Sequence, residues 1–250
     1  MTFAAVFFDL YGTLLVYGDM ERAWADWLTA LDDGLRTLGA PVDRRRLEDA
    51  CAGFFGRPEP SPADDGLTVY ERRLAHLCAT LGVTASSAGL GVLATRTVAA
   101  WQRQILVDRE AEPVLASLHR RLPLALVSNF DHPPHVRRLL EESGLAGHFD
   151  TVVVSSEVGT KKPDPSIFAG PLAQLGVAAA AVAYVGDSPE DVAAARGAGL
   201  VPILVVRPGG PSRAEVSDFR TRFDASSGPR AEPVHVVSSL RQLVPLVLES

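Results

Sequence analysis

Short apolar runs alternate with helical patterns along most of this 250-residue chain, and that alternation restricts the fold more than any other feature. The first run, residues 4–8, has apolar side chains on both faces, as is typical of a central strand in a parallel sheet. The later apolar runs are residues 122–127, 152–154, 181–185 and 201–206, and the helical patterns are residues 112–121, 134–142, 165–175 and 189–198. This order predicts an α/β fold whose strands pair in parallel.

Residues 18–104 follow a different pattern, in which apolar side chains recur at helical spacing and no strand pattern intervenes. The four apolar stripes are residues 24–38, 47–55, 70–81 and 90–101, the first closed by Gly39 and the third by Gly82. We therefore predict an all-helical domain, residues 18–104, inserted into an α/β core made of residues 1–17 and 105–250.

Two further segments are expected to be loops because they are rich in proline, glycine and polar residues. They are residues 56–66, between two helical stripes, and the longer segment 209–233. The chain then returns to an apolar pattern. Residues 234–237 predict a last strand, and residues 238–248 predict a last helix.

Composition narrows the possible partners and the cellular location. The net charge of −6 gives an acidic surface that repels phosphate backbones, so no nucleic-acid partner is expected. No stretch approaches the roughly 18 apolar residues of a membrane span, and the apolar start lacks a basic leader, which predicts a cytoplasmic protein. Cys51 and Cys78 lie among apolar residues and are expected to be buried thiols. His132 and His135 are expected to be ordinary surface residues.

Polar residues collect where the predicted strands end, which is the edge where open α/β sheets bind ligands. Four segments stand out: DLYGTL at residues 9–14, VSN at 127–129, KPDP at 162–165 and GDSPED at 186–191. Each is weak evidence alone, because an aspartate before a turn is often a helix cap and Ser-Asn is often a turn. Their order along the chain makes the combination informative.

This order resembles the four signature motifs of the haloacid dehalogenase superfamily, and the helical insertion resembles the C1-type cap of that family. The resemblance covers nearly the whole chain. It implies a Rossmann-like core, a cap that closes over the site and an aspartate nucleophile at Asp9. Independently of the resemblance, a carboxylate at a strand end can attack phosphorus and form an acyl phosphate, which divides one difficult displacement into two steps.

Several carboxylates at one sheet edge would repel each other unless a cation compensates them. Mg²⁺ suits such a site because it prefers oxygen ligands and takes few carboxylates. The resemblance implies that Asp9, the backbone carbonyl of Tyr11 and Asp187 are the ligands, with Asp191 nearby through water. Asp191 has an alternative interpretation as an acidic residue in the first turn of a helix.

The remaining motif residues suit the binding of a phosphoryl group. The Ser128 hydroxyl can donate to a phosphoryl oxygen, and the Asn129 amide can orient the substrate or the loop. Lys162 supplies a cation that stabilises the charge of the displacement. Lys161 is a competitor, but the Pro-Asp pair that follows favours Lys162. Thr13 bonds either the nucleophile or the phosphate.

Tyr11 departs from the phosphatase pattern, because most phosphatases of this superfamily carry a second aspartate there as the general acid and base. An ordinary tyrosine has a pKa of about 10 and is a poor base at neutral pH. Dehalogenases of the family commonly carry tyrosine at this position, since a halide leaves without protonation. A 2-haloacid dehalogenase is therefore an alternative function.

The acidic pair Asp187 and Asp191 argues for the phosphatase, because the dehalogenases lack it and use no metal. The helical insertion also lacks an arginine-rich, aromatic halide-binding segment, and Arg72 near Tyr70 is the nearest substitute. We predict a Mg²⁺-dependent phosphatase that acts on a small phosphorylated metabolite through an aspartyl-phosphate intermediate. A non-catalytic binding protein on the same scaffold is a third possibility, and the sequence leaves both monomer and homodimer open.

Overall fold

The computed structural model describes residues 2–61, 64–208 and 235–249. The predicted loop 209–233 and the first residue of the predicted last strand, Val234, lie outside the described residues. Within the described parts of the chain, no helix is both long and apolar enough to cross a membrane.

The described residues form two compact units. One comprises residues 2–16, 107–208 and 235–249, and the other comprises residues 17–61 and 64–106. The second unit is helical, whereas the first contains the main sheet. The function of the helical unit as a cap stays a prediction.

The first unit is built on a six-stranded sheet in which every pair of neighbours is parallel. The strands of the chain are β1 (Ala5–Phe8), β2 (Leu15–Tyr17), β3 (Ile105–Val107), β4 (Leu124–Ser128), β5 (Thr151–Val154), β6 (Val182–Gly186), β7 (Val201–Val205) and β8 (His235–Val237). The order in the large sheet is β5-β4-β1-β6-β7-β8, while β2 and β3 form a separate pair. The predicted α/β, Rossmann-like sheet is confirmed.

Helices follow the strands as the alternation predicts. They are α1 (Met20–Thr37), α2 (Arg44–Cys51), α3 (Val69–Thr80), α4 (Ser87–Gln102), α5 (Ala111–His119), α6 (Pro133–Glu142), α7 (Ser155–Val158), α8 (Ala169–Leu175), α9 (Pro189–Gly197) and α10 (Leu243–Leu248). The sequence does not predict the one-turn helix α7. The predicted helix 165–175 begins instead as a 3₁₀ turn, Pro165–Phe168, whose first residues are capped by the Asp164 carboxylate.

The core of the first unit explains why β1 and its neighbours are apolar on both faces. All four residues of β1 are fully buried. On one face, Phe7 packs against Phe168, and Phe168 meets the Tyr184 ring edge-on with 4.8 Å between ring centroids. Because both faces of β1 are covered, packing determines the position of this strand in the sheet. It also determines the position of Asp9, the residue that follows the strand.

The helical unit buries its predicted stripes around an aromatic cluster. The Trp27 indole donates to the Tyr70 hydroxyl at 2.6 Å, and that hydroxyl lies 2.7 Å from the Thr97 hydroxyl oxygen. Helices α1 and α4 approach closely because Gly34 has no side chain, and a Cβ there would overlap Leu93. The polar tips of Trp27 and Tyr70 are therefore satisfied inside the unit.

The second predicted stripe, residues 47–55, is not one helix. Helix α2 ends at Cys51, and Gly53 then adopts φ of +65° before a 3₁₀ turn at Phe54–Gly56. A left-handed residue interrupts the helix, and glycine adopts this conformation at little cost. The two cysteines are free and buried, as predicted, and burial raises the pKa of Cys51 to about 12.

Candidate active site

The site forms where three neighbouring strands end. Asp9 directly follows β1 and is 5% exposed. Strand β1 pairs with β4 on one side, which ends at Ser128, and with β6 on the other, which ends at Gly186. Because the strands are parallel, the residues that follow them meet at one edge of the sheet, as the sequence predicts.

Lys162 forms the centre of the site. Its Nζ donates to Asp9 Oδ1 at 2.6 Å and to Asp191 Oδ1 at 2.8 Å, and the side chain is almost fully buried. Burial alone would lower the pKa of Lys162, but the Asp191 and Asp9 carboxylates raise it above its usual value. The lysine therefore stays charged. Lys161, the competitor considered above, is exposed.

Tyr184 also belongs to the site, although in the sequence it is one residue of the apolar run 181–185. Its hydroxyl oxygen accepts from Lys162 Nζ at 2.8 Å and lies 3.0 Å from Asp191 Oδ1, to which it donates. Burial and the nearby carboxylates of Asp191 and Asp9 raise the pKa of Tyr184 well above its usual value, so the hydroxyl keeps its proton. The signal in the sequence is a hydroxyl-bearing side chain within a continuous buried strand, because a buried tyrosine hydroxyl usually requires a partner.

Asp191 is anchored through both carboxylate oxygens. Its Oδ1 accepts from Lys162 and Tyr184, whereas Oδ2 accepts from the Ser188 hydroxyl at 2.6 Å and from the amides of Ser188 and Asp187 at 3.0 and 3.1 Å. Ser188 and Asp191 together form a capping box at the start of α9. Asp191 therefore satisfies amides at a helix N-terminus and also holds Lys162 in place.

The carboxylate cluster fits a hard divalent cation. One oxygen each from Asp9, Asp187 and Asp191 lies within 4.8 Å of the others, and Lys162 neutralises only part of their charge. The backbone is also shaped to admit this cluster, because Gly12 adopts φ of +88° and a Cβ there would overlap the Asp187 carboxylate. An oxygen-only donor set with excess negative charge is what Mg²⁺ prefers.

The other motif residues have separate contacts. The Thr13 hydroxyl donates to Asp9 Oδ2 at 3.3 Å. The Asn129 amide donates to the Lys162 carbonyl and accepts from the Lys162 amide, both at 2.9 Å, so it joins the second motif to the third. The Ser128 hydroxyl is buried and has no hydrogen-bond partner among the described residues, which leaves it able to donate to a ligand.

The Tyr11 side chain takes part in an aromatic stack. Its ring lies parallel to the Phe130 ring, with 5.0 Å between centroids and 11° between planes, and Phe130 in turn stacks on His135. Tyr11 is 5% exposed. The Tyr11 side chain is thus packed against its neighbours rather than solvated.

His132 and His135 are not surface residues, so that expectation is wrong. They are 4% and 3% exposed. Burial, and then the neighbouring Arg138 guanidinium and His132, lower the pKa of His135 to about 3. The ring is neutral at physiological pH and packs against Phe130, which covers it in a way that its polar local sequence does not indicate.

A family model described as haloacid dehalogenase-like hydrolase matches residues 3–199, and a HAD-hydrolase-like model matches residues 159–243. A phosphoserine phosphatase from Thermus thermophilus is 46% identical over 126 residues, which cover 47% of this chain and 50% of that protein. A phosphoglycolate phosphatase from Rhodospirillum rubrum is 41% identical over 222 residues, which cover 81% of this chain and 78% of the relative. The chain spans half or less of the length of several other curated relatives that it matches.

Among solved structures, a 2-haloacid dehalogenase from Pseudomonas syringae pv. tomato is similar over nearly the whole length. The TM-score is 0.63 at 25% sequence identity, and the match covers 97% of this chain and 96% of that one. The same scaffold is thus found in proteins named phosphatases and in one named a dehalogenase.

Gly12→Ala should abolish turnover and destabilise the fold more than Gly144→Ala does. Both glycines have positive φ, but a Cβ at Gly144 meets nothing within 4 Å, whereas one at Gly12 overlaps the Asp187 carboxylate. Backbone strain alone costs about 1–2 kcal/mol. Urea unfolding of both variants measures the difference, and equal losses of stability would show that the contact with Asp187 has no steric consequence.

Proposed function

Since the chain belongs to the haloacid dehalogenase-like hydrolase family, we propose that it is a phosphatase that cleaves a small phosphorylated metabolite with Asp9 as the nucleophile and Mg²⁺ as the cofactor. One observation carries the proposal. The buried Lys162 ammonium bridges Asp9 and Asp191 while Asp187 completes an acidic cluster at the same sheet edge. Relatives named phosphoserine and phosphoglycolate phosphatase support the substrate class.

Asp9 would attack phosphorus with a carboxylate oxygen, and the oxygen of the leaving group would depart with its bonding electrons. Water then attacks the resulting acyl phosphate at phosphorus, which regenerates the carboxylate and releases inorganic phosphate. Lys162 stabilises the negative charge of the phosphoryl oxygens during both steps. The Ser128 hydroxyl donates to one of these oxygens, while Asn129 orients the loop that carries Lys162 through its two bonds to the Lys162 backbone.

The proposed ligands of Mg²⁺ are Asp9, the backbone carbonyl of Tyr11 and Asp187. Asp191 belongs to the site through water, because each of its oxygens already accepts at least two hydrogen bonds of 2.6 to 3.1 Å, whereas Asp9 Oδ2 accepts a longer bond of 3.3 Å. The bound ion would supply positive charge that offsets the carboxylates and polarises the phosphoryl group. The C1-type cap, residues 18–104, is the proposed determinant of substrate choice, and we infer a cytoplasmic location.

A 2-haloacid dehalogenase is the second candidate, and Tyr11 is the observation that favours it, together with the similar dehalogenase structure. The acidic cluster favours the phosphatase, since a halide leaves without help from a metal. The residue nearest to a halide-binding arginine, Arg72, is committed to an ion pair with Asp65 at 2.8 Å and to the Leu67 carbonyl. Assays of phosphate esters with Mg²⁺ and of haloacids without metal, on the same preparation, separate the two functions.

Asp9→Asn should abolish turnover and leave the fold nearly intact. The amide has the same shape as the carboxylate, but it is not a nucleophile and has no negative charge to bind the metal. Lys162 keeps Asp191 as its partner. Steady-state kinetics and circular dichroism measure the two effects. Turnover that persists in a preparation free of deamidated protein would remove Asp9 from the mechanism.

Mg²⁺ should raise the melting temperature of the wild type and have much less effect on Asp187→Ala. A ligand that binds only the folded state at about 100 times its dissociation constant stabilises by about 2.7 kcal/mol, which corresponds to a shift of about 5–11 °C. Glu190→Ala is the matched control, because Glu190 is an exposed acid in the first turn of α9 and lies outside the cluster. Identical wild-type curves with and without Mg²⁺ would favour the dehalogenase.

Substrates with good leaving groups, such as aryl, acyl or anomeric phosphates, should be preferred, because Tyr11 replaces the usual general acid. General acid–base catalysis contributes about 10² to 10⁴ in rate, so alkyl esters should be poor substrates. Tyr11→Asp should therefore raise turnover of an alkyl phosphate more than that of an aryl phosphate. Tyr11→Phe, which preserves the stack on Phe130, is the control. A wild type without preference and a mutant without gain would mean that another group supplies the proton.

A further inference from the structure

Arg207 contacts the turn that follows the nucleophile, although it lies far away in the sequence. It is the second residue after β7, and its guanidinium donates through Nη1 to the Gly12 carbonyl at 2.6 Å and through Nη2 to the Thr13 carbonyl. Nε donates at 3.0 Å to a carboxylate oxygen of Asp108. Both charged side chains are largely buried, at 18% and 12% exposure.

The turn cannot satisfy these carbonyls itself. Its internal bonds run from the Gly12 amide to the Leu15 carbonyl at 2.8 Å and from the amides of Thr13, Leu14 and Leu15 to the Leu10 carbonyl at 3.4, 2.9 and 2.9 Å. The carbonyls of Gly12 and Thr13 accept from Arg207 instead. A guanidinium suits this task because its donors form a rigid planar fork.

Asp108 completes the attachment. Its amide donates to the Leu14 carbonyl at 2.9 Å, and its second carboxylate oxygen accepts from the Glu110 amide at 2.9 Å. Asp108 and Arg207 therefore bind three consecutive residues of the turn and each other, and the orientation of Arg207 is determined by a second charged group.

The position of the turn matters for the proposed chemistry. Gly12 lies against the Asp187 carboxylate so closely that a Cβ would overlap it, and Thr13 donates to Asp9. The carbonyl of Tyr11, a proposed Mg²⁺ ligand, belongs to the peptide immediately before Gly12. Displacement of the turn would therefore change the distances among all three proposed ligands, and misplacement by about 1 Å can cost on the order of 100-fold in rate.

We propose that Arg207 is a positioning residue that holds the nucleophile turn against the metal site, an inference that rests on the proposed function. Arg207 does not touch the substrate. Its removal lowers kcat and weakens Mg²⁺ binding by about 10- to 100-fold, as is typical for residues that orient metal ligands, and it changes KM little.

The test compares Arg207→Met and Arg207→Lys with Arg241→Met. Arg241 is a matched control because it pairs with Glu110 at 3.0 Å, close to Asp108 in the chain, but is mostly exposed and makes no bond to the turn. The Mg²⁺ concentration at half-maximal thermal shift is measured without substrate, and kcat and KM are measured at saturating Mg²⁺ with an aryl phosphate.

We expect the Mg²⁺ concentration at half-maximal thermal shift to be highest for Arg207→Met and unchanged from the wild type for Arg241→Met. Arg207→Lys should be intermediate, because an ammonium reaches fewer acceptors. Equal midpoints and kcat values for Arg207→Met and Arg241→Met in a wild type that responds to Mg²⁺ overturn this inference alone. A wild type without a Mg²⁺-dependent shift overturns the proposed function, and this inference with it. If Arg207→Met fails to fold, the comparison of Arg207→Lys with Arg241→Met decides in the same way.

Discussion

The bridge from the Lys162 ammonium to the carboxylates of Asp9 and Asp191 is the interaction on which the site depends. Its atoms are 2.6 and 2.8 Å apart and almost fully buried, and Asp9 and Lys162 are 153 positions apart in the chain. A buried charge without a partner costs about 3–5 kcal/mol, and Lys162 avoids this cost even when one carboxylate is lost because it is paired with two. The bridge thus joins the ends of β1 and β6 to the loop that carries Lys162.

The groups around the bridge hold its members in place through further hydrogen bonds. Tyr184 accepts from the lysine and donates to Asp191, while Asn129 holds the Lys162 backbone. Ser188 and the start of α9 hold the second oxygen of Asp191. One lysine cannot neutralise three carboxylates, and this excess of negative charge is the physical reason for expecting a divalent cation beside Asp187.

The sequence predicts the sheet and the helices well where burial is one-sided or complete, because a buried strand reads as a continuous apolar run and a packed helix as a stripe. It is less successful where the backbone conformation of one residue decides where a helix ends. The left-handed Gly53 is the example, because α2 ends before it. It is wrong about His132 and His135, since a polar local sequence gives no sign that both will be buried or that Phe130 will stack on His135.

Sequence alone determined that Asp9, Ser128 and Asp187 follow or end buried strands, and parallel pairing then requires these residues to meet at one edge. Only the tertiary structure decided which side chains hold them there. Tyr184 looks like one more apolar strand residue, and Arg207 like a surface charge after a strand. Their partners lie 7 and 195 positions away, and a local pattern shows which way a side chain faces but not which distant group it meets.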